Sequence, residues 1–330
     1  MNPTPSIDGV LIQWGERLFY PRNRTVESRT PRLHNPSQRA AFIRSRIEAT
    51  VRRAPQVMVK VTGGGRGMRA IAAHFRYISK NGRLDIEDDR GVFERGKDAL
   101  QGIERQWKLG GSLIEDHSPR REAFNIMLSM PRGTDPLIVQ RAAREFARIE
   151  LADHRDVMVL HDPQANPHVH LSVRAESKHG QRLNPRKADL HRWRETFAQR
   201  LREHGIDAEA TRQATRGAYR TSERLWERKT QAATTSRPRA KSGQAFKQSR
   251  SDALRAWAEI ARALKASGDP SDRQLSAAIE RPVLQMPIVQ VVLRQREQAK
   301  ERAARGAAMV AAPQLVRQGP EIGRYERVER

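Results

Sequence analysis

Residues 157–175 read VMVLHDPQANPHVHLSVRA, two apolar runs joined by a turn with two prolines. Side chains of a β-strand alternate between its two faces, so a strand after the turn places His168 and His170 on the same face. His161 ends the preceding apolar run, which reads as the neighbouring strand. We therefore predict a β-hairpin that folds His161 back beside the other two imidazoles.

Three converging neutral imidazoles suit a divalent transition metal that keeps open coordination positions, as a catalytic site requires. The alternative is that His168 and His170 are solvated residues on the polar face of an edge strand, because short motifs often match by chance. The third histidine and the apolar opposite face of the strand favour the metal site.

The composition points to a polyanionic partner. The chain has 330 residues, a formal net charge of +24 and a pI near 11.3. Nucleic acid is the leading candidate. An anionic membrane surface is the rival, but the helical segments do not pair a basic face with an aromatic-rich apolar face. The absence of cysteine excludes disulfides, thiolate zinc sites and thiol nucleophiles.

No apolar run approaches the ~18 residues that a membrane span needs, and residues 1–23 lack a basic region followed by an apolar core. We therefore expect no membrane insertion and no general secretion signal. Alternating strand and helix patterns along the middle of the chain predict an α+β fold in which helices pack on one sheet. The predicted division begins with a basic, mostly flexible arm at residues 1–55, in which one short helix is an option. A central domain follows at residues 56–222, then a linker at 223–250 and a helical region of unknown role at 251–330.

Two segments near the start of the central domain carry candidate functional residues. Glycines in the loop TGGGRG, residues 62–67, permit close approach of an anion, so this loop and the following helix can form a phosphate-binding nest beside Arg66. A turn that serves only geometry is an equal alternative. Tyr77 falls opposite the apolar stripe of the predicted helix 68–78, beside small residues and close to Lys80 and Arg83. Tyr77 is thus a candidate nucleophile, although a lone surface tyrosine after a helix is far more often structural than nucleophilic.

A later basic run, RQATRGAYR at residues 212–220, is expected to contact phosphates, although a solvated charged face fits the pattern nearly as well. It also contains Tyr219, the most credible rival to Tyr77 as a nucleophile. The residues that we predict to bind nucleic acid are Gly64, Arg66, Arg69, Lys80, Arg83, Arg212 and Arg216.

These motifs occur together in an order that resembles a known family. The segments VKVTGGGRGMRAIAAHFRYISKNGRL, NIMLSMPRGTDP and LHDPQANPHVHLSVRAESKHGQRLNPRKADL are similar to relaxases of mobile genetic elements, within the HUH (His-hydrophobe-His) endonuclease superfamily. The closest resemblance is to the T-DNA border endonuclease branch. It covers residues 57–220. Family members often have Asp where this chain has Pro163, and Asn where it has Arg174.

The resemblance implies an antiparallel sheet flanked by helices, with Tyr77 as the nucleophile and His161, His168 and His170 as the metal ligands. It implies a DNA relaxase that nicks one strand at an origin of transfer, leaves a 5′-phosphotyrosine and serves conjugative mobilisation of a plasmid. The implied cofactor is Mg²⁺ or Mn²⁺, with Zn²⁺ as an option. The implied partners are single-stranded DNA around the nick site, accessory relaxosome proteins and a coupling protein. The implied location is the bacterial cytoplasm, with transfer alongside DNA.

Two other functions remain open at the level of sequence. A rolling-circle replication initiator uses the same residue types, but it usually places the tyrosine after the histidine pair, whereas Tyr77 precedes His168 here. A non-catalytic DNA-binding accessory protein with a degenerate site predicts DNA binding without covalent adducts.

Overall fold

The computed structural model describes residues 6–20, 35–161, 166–217 and 243–311. Within these ranges six strands form one antiparallel sheet in the order β1-β4-β6-β5-β2-β3. The strands are β1 Met58–Gly63, β2 Ile86–Asp88, β3 Phe93–Glu94, β4 Ala123–Ser129, β5 Asp156–His161 and β6 His168–Arg174. The sheet is flanked by helices, which confirms the predicted α+β class.

Nine helices lie in the described ranges: α1 Ile7–Phe19, α2 Pro36–Val51, α3 Met68–Ile78, α4 Lys97–Leu109, α5 Pro136–Glu150, α6 Lys187–Glu203, α7 Gln244–Lys265, α8 Pro270–Leu284 and α9 Pro287–Ala311. The N-termini of three of these helices are set by capping side chains and prolines. Asn35, Asp135 and Asp269 each accept a hydrogen bond from a first-turn amide, and a proline follows each of them.

Each face of the sheet has its own apolar core. One face is covered by α5 and α6, where Phe146 packs edge-to-face against Trp193 and Phe197. The other face is covered by α3 and α4, where Phe75 and Trp107 meet at 4.9 Å between ring centroids. Because side chains alternate along β5 and β6, the histidines stand on the α3 side. The sheet therefore presents them beside the end of α3.

The N-terminal region differs from the flexible basic arm that we expected over residues 1–55. Its described part forms α1 and α2, which pack with α7 and α8 around a third core. Trp257 and Ile260 of α7 are buried against apolar side chains of α1 and α2. Burial of each such side chain contributes roughly 1.5–3 kcal/mol. The sequence pattern missed this because the apolar partners of the two helices lie some two hundred residues later in the chain.

This helical cluster is fastened to the domain that carries the sheet. Arg46 of α2 is buried and forms ion pairs with Glu195 at 2.9 Å and Glu209 at 3.2 Å. The indole nitrogen of Trp257 donates to the Thr215 carbonyl oxygen at 2.8 Å. Residues 223–242, most of the linker predicted at residues 223–250, lie outside the described residues, and α7 begins at Gln244. The domain boundaries themselves stay a prediction.

Candidate active site

The β5–β6 hairpin brings the three predicted histidines together. His161 is paired directly with His168 across the two strands, and His170 lies two residues further along the same face. The centroids of the three rings are 4.5–5.2 Å apart. One ligand atom from each ring lies within 4.8 Å of the others, and no other group of three possible ligands in the described ranges is this compact.

Backbone carbonyls fix the orientation of two of these rings. His161 Nε2 lies 2.6 Å from the Ile78 carbonyl oxygen, and His168 Nδ1 lies 2.9 Å from that of Asn166. In a neutral imidazole the nitrogen that faces a carbonyl carries the proton, so the other nitrogen offers a free lone pair. His161 Nδ1 and His168 Nε2 are therefore the ligand atoms that the structure leaves available.

The environment of His161 and His170 favours their neutral, metal-binding form. Burial, reinforced by His161 and His168, lowers the pKa of His170 to about 4. Burial also lowers the pKa of His161. One ligand atom from each ring lies within 4.8 Å of the others, close enough for the three imidazoles to share one ion. The donor set fits a divalent metal ion.

Tyr77 stands beside this triad on the last turn of α3. Its ring lies 6.3 Å from that of His170 between centroids, at an angle of 79°, and its side chain is 69% exposed. The chain then turns sharply, because Lys80 and Asn81 adopt positive φ and the Gly82 amide donates to Ser79 Oγ at 3.0 Å. The tyrosine is thus accessible next to the histidines, as its position opposite the apolar stripe predicted.

Sequence reasoning missed His74, one helical turn before Tyr77. Its ring lies 6.2 Å from the Tyr77 ring and 6.4 Å from the His170 ring. Its Nε2 is buried and has no hydrogen-bond partner among the described residues, and burial lowers its pKa. The i, i+3 spacing from Tyr77 was the signal that could have revealed it, since such residues share a helix face.

The glycine loop does not form the predicted phosphate nest. The first amides of α3, from Met68 and Arg69, already donate to the carbonyl oxygens of Glu115 and Asp116, at 2.8 and 3.2 Å. A Cβ on Gly64 would lie 2.2 Å from the Ala123 carbonyl oxygen. Glycine is therefore needed for close packing on β4, and the geometric alternative for this turn is the one that the structure favours.

The predicted DNA-binding cations divide into two groups. Arg66, Arg69, Lys80 and Arg83 are exposed on the α3 side of the sheet, and Lys80 is close enough to His161 to help lower its pKa. Two others have internal roles. Arg212 donates to the carbonyl oxygens of Arg17 and Leu18 at the end of α1, and Arg216 donates to the Thr211 carbonyl oxygen. The structure does not bring these two arginines to the histidine site, and Tyr219 lies outside the described residues.

The two departures from the family pattern have different outcomes. Asp162 and Pro163 lie outside the described residues. Arg174 is only 4% exposed, and its guanidinium donates to the carbonyl oxygens of Trp107, Gly110 and Ser112 around the end of α4. It is therefore a structural side chain that ties β6 to α4.

Comparison with known proteins agrees with this geometry. Residues 77–206 match the family model described as "Relaxase: MobA/VirD2-like, nuclease domain". They form a MobA/VirD2-like relaxase nuclease domain. The matched segment begins at Tyr77 and contains the whole histidine triad. The description of the matching family model is that of a nuclease domain, which supports DNA nicking as the activity of this segment.

Other comparisons add little. A solved structure described as "Molecular Basis of Vancomycin Resistance Transfer in Staphylococcus aureus" aligns with 48% of this chain and 99% of its own, at 15% identity and a TM-score of 0.30. That similarity is too low to support an argument. The search of curated proteins gave no match. Among the helices that the structure describes, none combines the length and apolarity that crossing a bilayer requires.

Proposed function

We propose that this relaxase nicks one DNA strand at an origin of transfer, with Tyr77 as the nucleophile and His161, His168 and His170 as the metal ligands. The observation that carries the proposal is the juxtaposition of an exposed phenol and three clustered imidazoles, with the Tyr77 and His170 rings 6.3 Å apart. A phosphodiester held between them meets a nucleophile on one side and a cation site on the other.

The proposed step exchanges one phosphodiester for another. The Tyr77 hydroxyl oxygen forms a bond to phosphorus, the bond from phosphorus to the 3′ oxygen breaks, and the phenol proton ends on the released 3′ hydroxyl. The products are a 5′-phosphotyrosine and a free 3′ end. No nucleotide cofactor is consumed, and the reverse attack of the 3′ hydroxyl rejoins the strand.

The chain's own residues define where this happens. His161, His168 and His170 would hold a divalent ion through three ring nitrogens, and such an ion would supply Lewis-acid polarisation of the phosphate. The Ile78 carbonyl holds the His161 ring, and the turn after α3 fixes Lys80 beside the site. A lysine at that position attracts the phosphate and balances its charge.

DNA affinity is proposed to come mainly from the basic surface. With a net charge of +24, the chain neutralises many phosphates, and the resulting counterion release makes affinity fall steeply with salt. The exposed Arg66, Arg69, Lys80 and Arg83 are the cations that we place along the DNA path. Strand transfer in conjugation, accessory proteins and a coupling protein, and a cytoplasmic location belong to the same proposal. Membership of the T-DNA border branch stays a prediction.

The test is a denaturing gel with a labelled single-stranded oligonucleotide library from the native replicon, run with Mn²⁺, with Mg²⁺ or with EDTA. We expect a metal-dependent, denaturant-resistant adduct that Tyr77→Phe abolishes. Tyr20→Phe, a conservative change in the helical cluster, is the matched control and should leave the adduct intact. Tight, salt-sensitive binding without any adduct under all conditions would instead support an accessory DNA-binding protein.

A further inference from the structure

A second candidate site lies on the α5 face of the sheet, away from the histidines. A cavity of about 170 Å³ opens between the β2–β3 turn, the start of β5 and the last turns of α5. Polar groups from all three elements line it, with Asp88 and Asp89 from the turn, Asp156 from β5 and Arg144 and Arg148 from α5. None of these residues takes part in the proposed nicking reaction.

Asp156 has no partner in this cavity. Its side chain is only 5% exposed, and its Oδ1 is buried without a hydrogen-bond donor among the described residues. Burial, with Asp89, Glu87 and Asp88 nearby, raises its pKa to about 8. A buried carboxyl without a donor is costly, because it has given up hydration without compensation. Such a group in a cavity wall marks a place where a hydrogen-bond donor is missing.

The neighbouring charges are already matched. Asp88 accepts from Arg90 Nε at 2.7 Å and from the Val92 amide at 2.9 Å. Arg144 is bound to Glu87 through both its Nε and its Nη2 atoms.

Among the remaining polar groups of the lining, one buried carboxylate has no partner of opposite charge. His154 Nδ1 lies 2.9 Å from the Arg174 carbonyl oxygen, and burial lowers its pKa, so it is neutral. Asp89 and Arg148 are both exposed at the mouth, whereas Asp156 is the buried carboxylate of the lining and has no ion-pair partner among the described residues.

We propose that this cavity binds a single organic cation, a guanidinium or primary ammonium group, whose N–H groups donate to Asp156 and Asp89. The volume lies below the roughly 300–1,000 Å³ of sites for drug-sized ligands, so it fits a small head group. The last turn of α5 adds the negative end of a helix dipole at the same place.

A bare metal ion fits this cavity less well. In the part of the chain that the structure describes, only the histidine triad brings three possible ligand atoms within 4.8 Å of one another. The carboxylates of the cavity are more widely spaced, as suits a planar guanidinium or an ammonium with several donors. The same chemistry has two sources, a free small amine or a basic side chain of a partner protein.

The test is isothermal titration of the full chain with methylguanidinium, agmatine and spermidine. We expect saturable binding that Asp156→Asn weakens by roughly tenfold or more, because a buried ion pair loses its charge. Asp89→Asn, at the exposed mouth, should weaken it less and guards against a folding defect in the first variant. Glu115→Gln removes an exposed carboxylate elsewhere and should leave binding unchanged.

The possible outcomes distinguish a free small cation from the basic side chain of a partner, and both of these from failure of the proposal. Submicromolar to micromolar binding of a small amine identifies a free cation as sufficient, whereas millimolar binding that still needs Asp156 identifies a side chain delivered by a larger partner. Absence of binding, or binding that Asp156→Asn leaves unchanged, overturns the proposal. Binding seen only after Arg148→Ala also overturns it, since Arg148 then fills the cavity itself. Tyr77→Phe should not affect any of these results, so the test is independent of the nicking chemistry.

Discussion

The Nε2 atom of His161 lies 2.6 Å from the carbonyl oxygen of Ile78, the residue that follows Tyr77. One hydrogen bond thus joins a proposed metal ligand to the backbone of the helix that carries the proposed nucleophile. Because the bond also selects which imidazole nitrogen is free, the position of α3 sets the ligand atom of His161. We infer that the metal site and the nucleophile are ordered together.

Because the link to α3 runs through the backbone carbonyl of Ile78, metal binding should stabilise the fold whether or not the side chain of residue 77 carries a hydroxyl. We expect Mn²⁺ to raise the Tm of the wild-type protein and of Tyr77→Phe equally. At a hundred times its Kd the ion should add about 2.7 kcal/mol to the free energy of unfolding. In His170→Ala the rise should be lost. Differential scanning calorimetry with and without the ion measures this. Equal stabilisation of the His170 variant would place the ion elsewhere.

Nicking and DNA binding should respond differently to loss of a ligand. His168→Ala should lower the nicking rate on the order of 10²–10³-fold, because charge on the phosphate is no longer neutralised at the reacting centre. The slope of log affinity against log salt should change by less than about one, since one phosphate among many is affected. His179→Ala, in an exposed turn, is the matched control. A parallel loss of affinity and nicking contradicts the assignment.

Arg174 should matter for stability and not for chemistry. Arg174→Ala leaves the carbonyl oxygens of Trp107, Gly110 and Ser112 without their donor and should cost about 2–4 kcal/mol. The Tm should fall by roughly 5–10 °C. Arg174→Asn, which introduces the residue common in the family, should not restore it. If the nicking rate of the folded variant fell while its Tm stayed unchanged, Arg174 would act in the site.

Asp156 predicts an unusual pH dependence of stability. Its pKa rises from an ordinary 3.8 to about 8 in the folded state, so the folded protein holds a proton that the unfolded chain has lost between these values. Its contribution is thus fully present below pH 3.8 and declines as the pH rises towards 8. Asp156→Asn should gain Tm relative to wild type on going from about pH 5 to about pH 8. A constant difference in Tm would contradict the buried, uncompensated carboxyl.

Strong local patterns predicted most of the sheet and the site. The alternation around His168 and His170 identified β6, and the apolar stripe of residues 68–78 placed Tyr77 on the open side of α3. Both signals are short-range consequences of strand and helix geometry. They sufficed because the triad is formed by two adjacent strands that are separated by only six residues in the sequence.

Features that depend on contacts between residues far apart in the sequence could not be predicted from local patterns. The burial of α1 depends on α7, the role of Arg212 depends on the end of α1, and the cavity at Asp156 depends on α5 and the β2–β3 turn. The glycine loop and the start of α3 were predicted to bind a phosphate. Nothing in the local sequence indicates that the backbone carbonyls of Glu115 and Asp116 accept hydrogen bonds from the first amides of α3. Tertiary contacts decide such assignments.

In the proposed reaction Tyr77 forms the covalent bond to DNA, and mapping the adduct by mass spectrometry tests this most directly. After nicking, nuclease trimming and trypsin digestion, cleavage behind Arg76 and Lys80 releases the peptide of residues 77–80, YISK. We predict that this peptide carries the nucleotide phosphate on its tyrosine. An adduct on the peptide that contains Tyr219, or on any other peptide, would contradict the account.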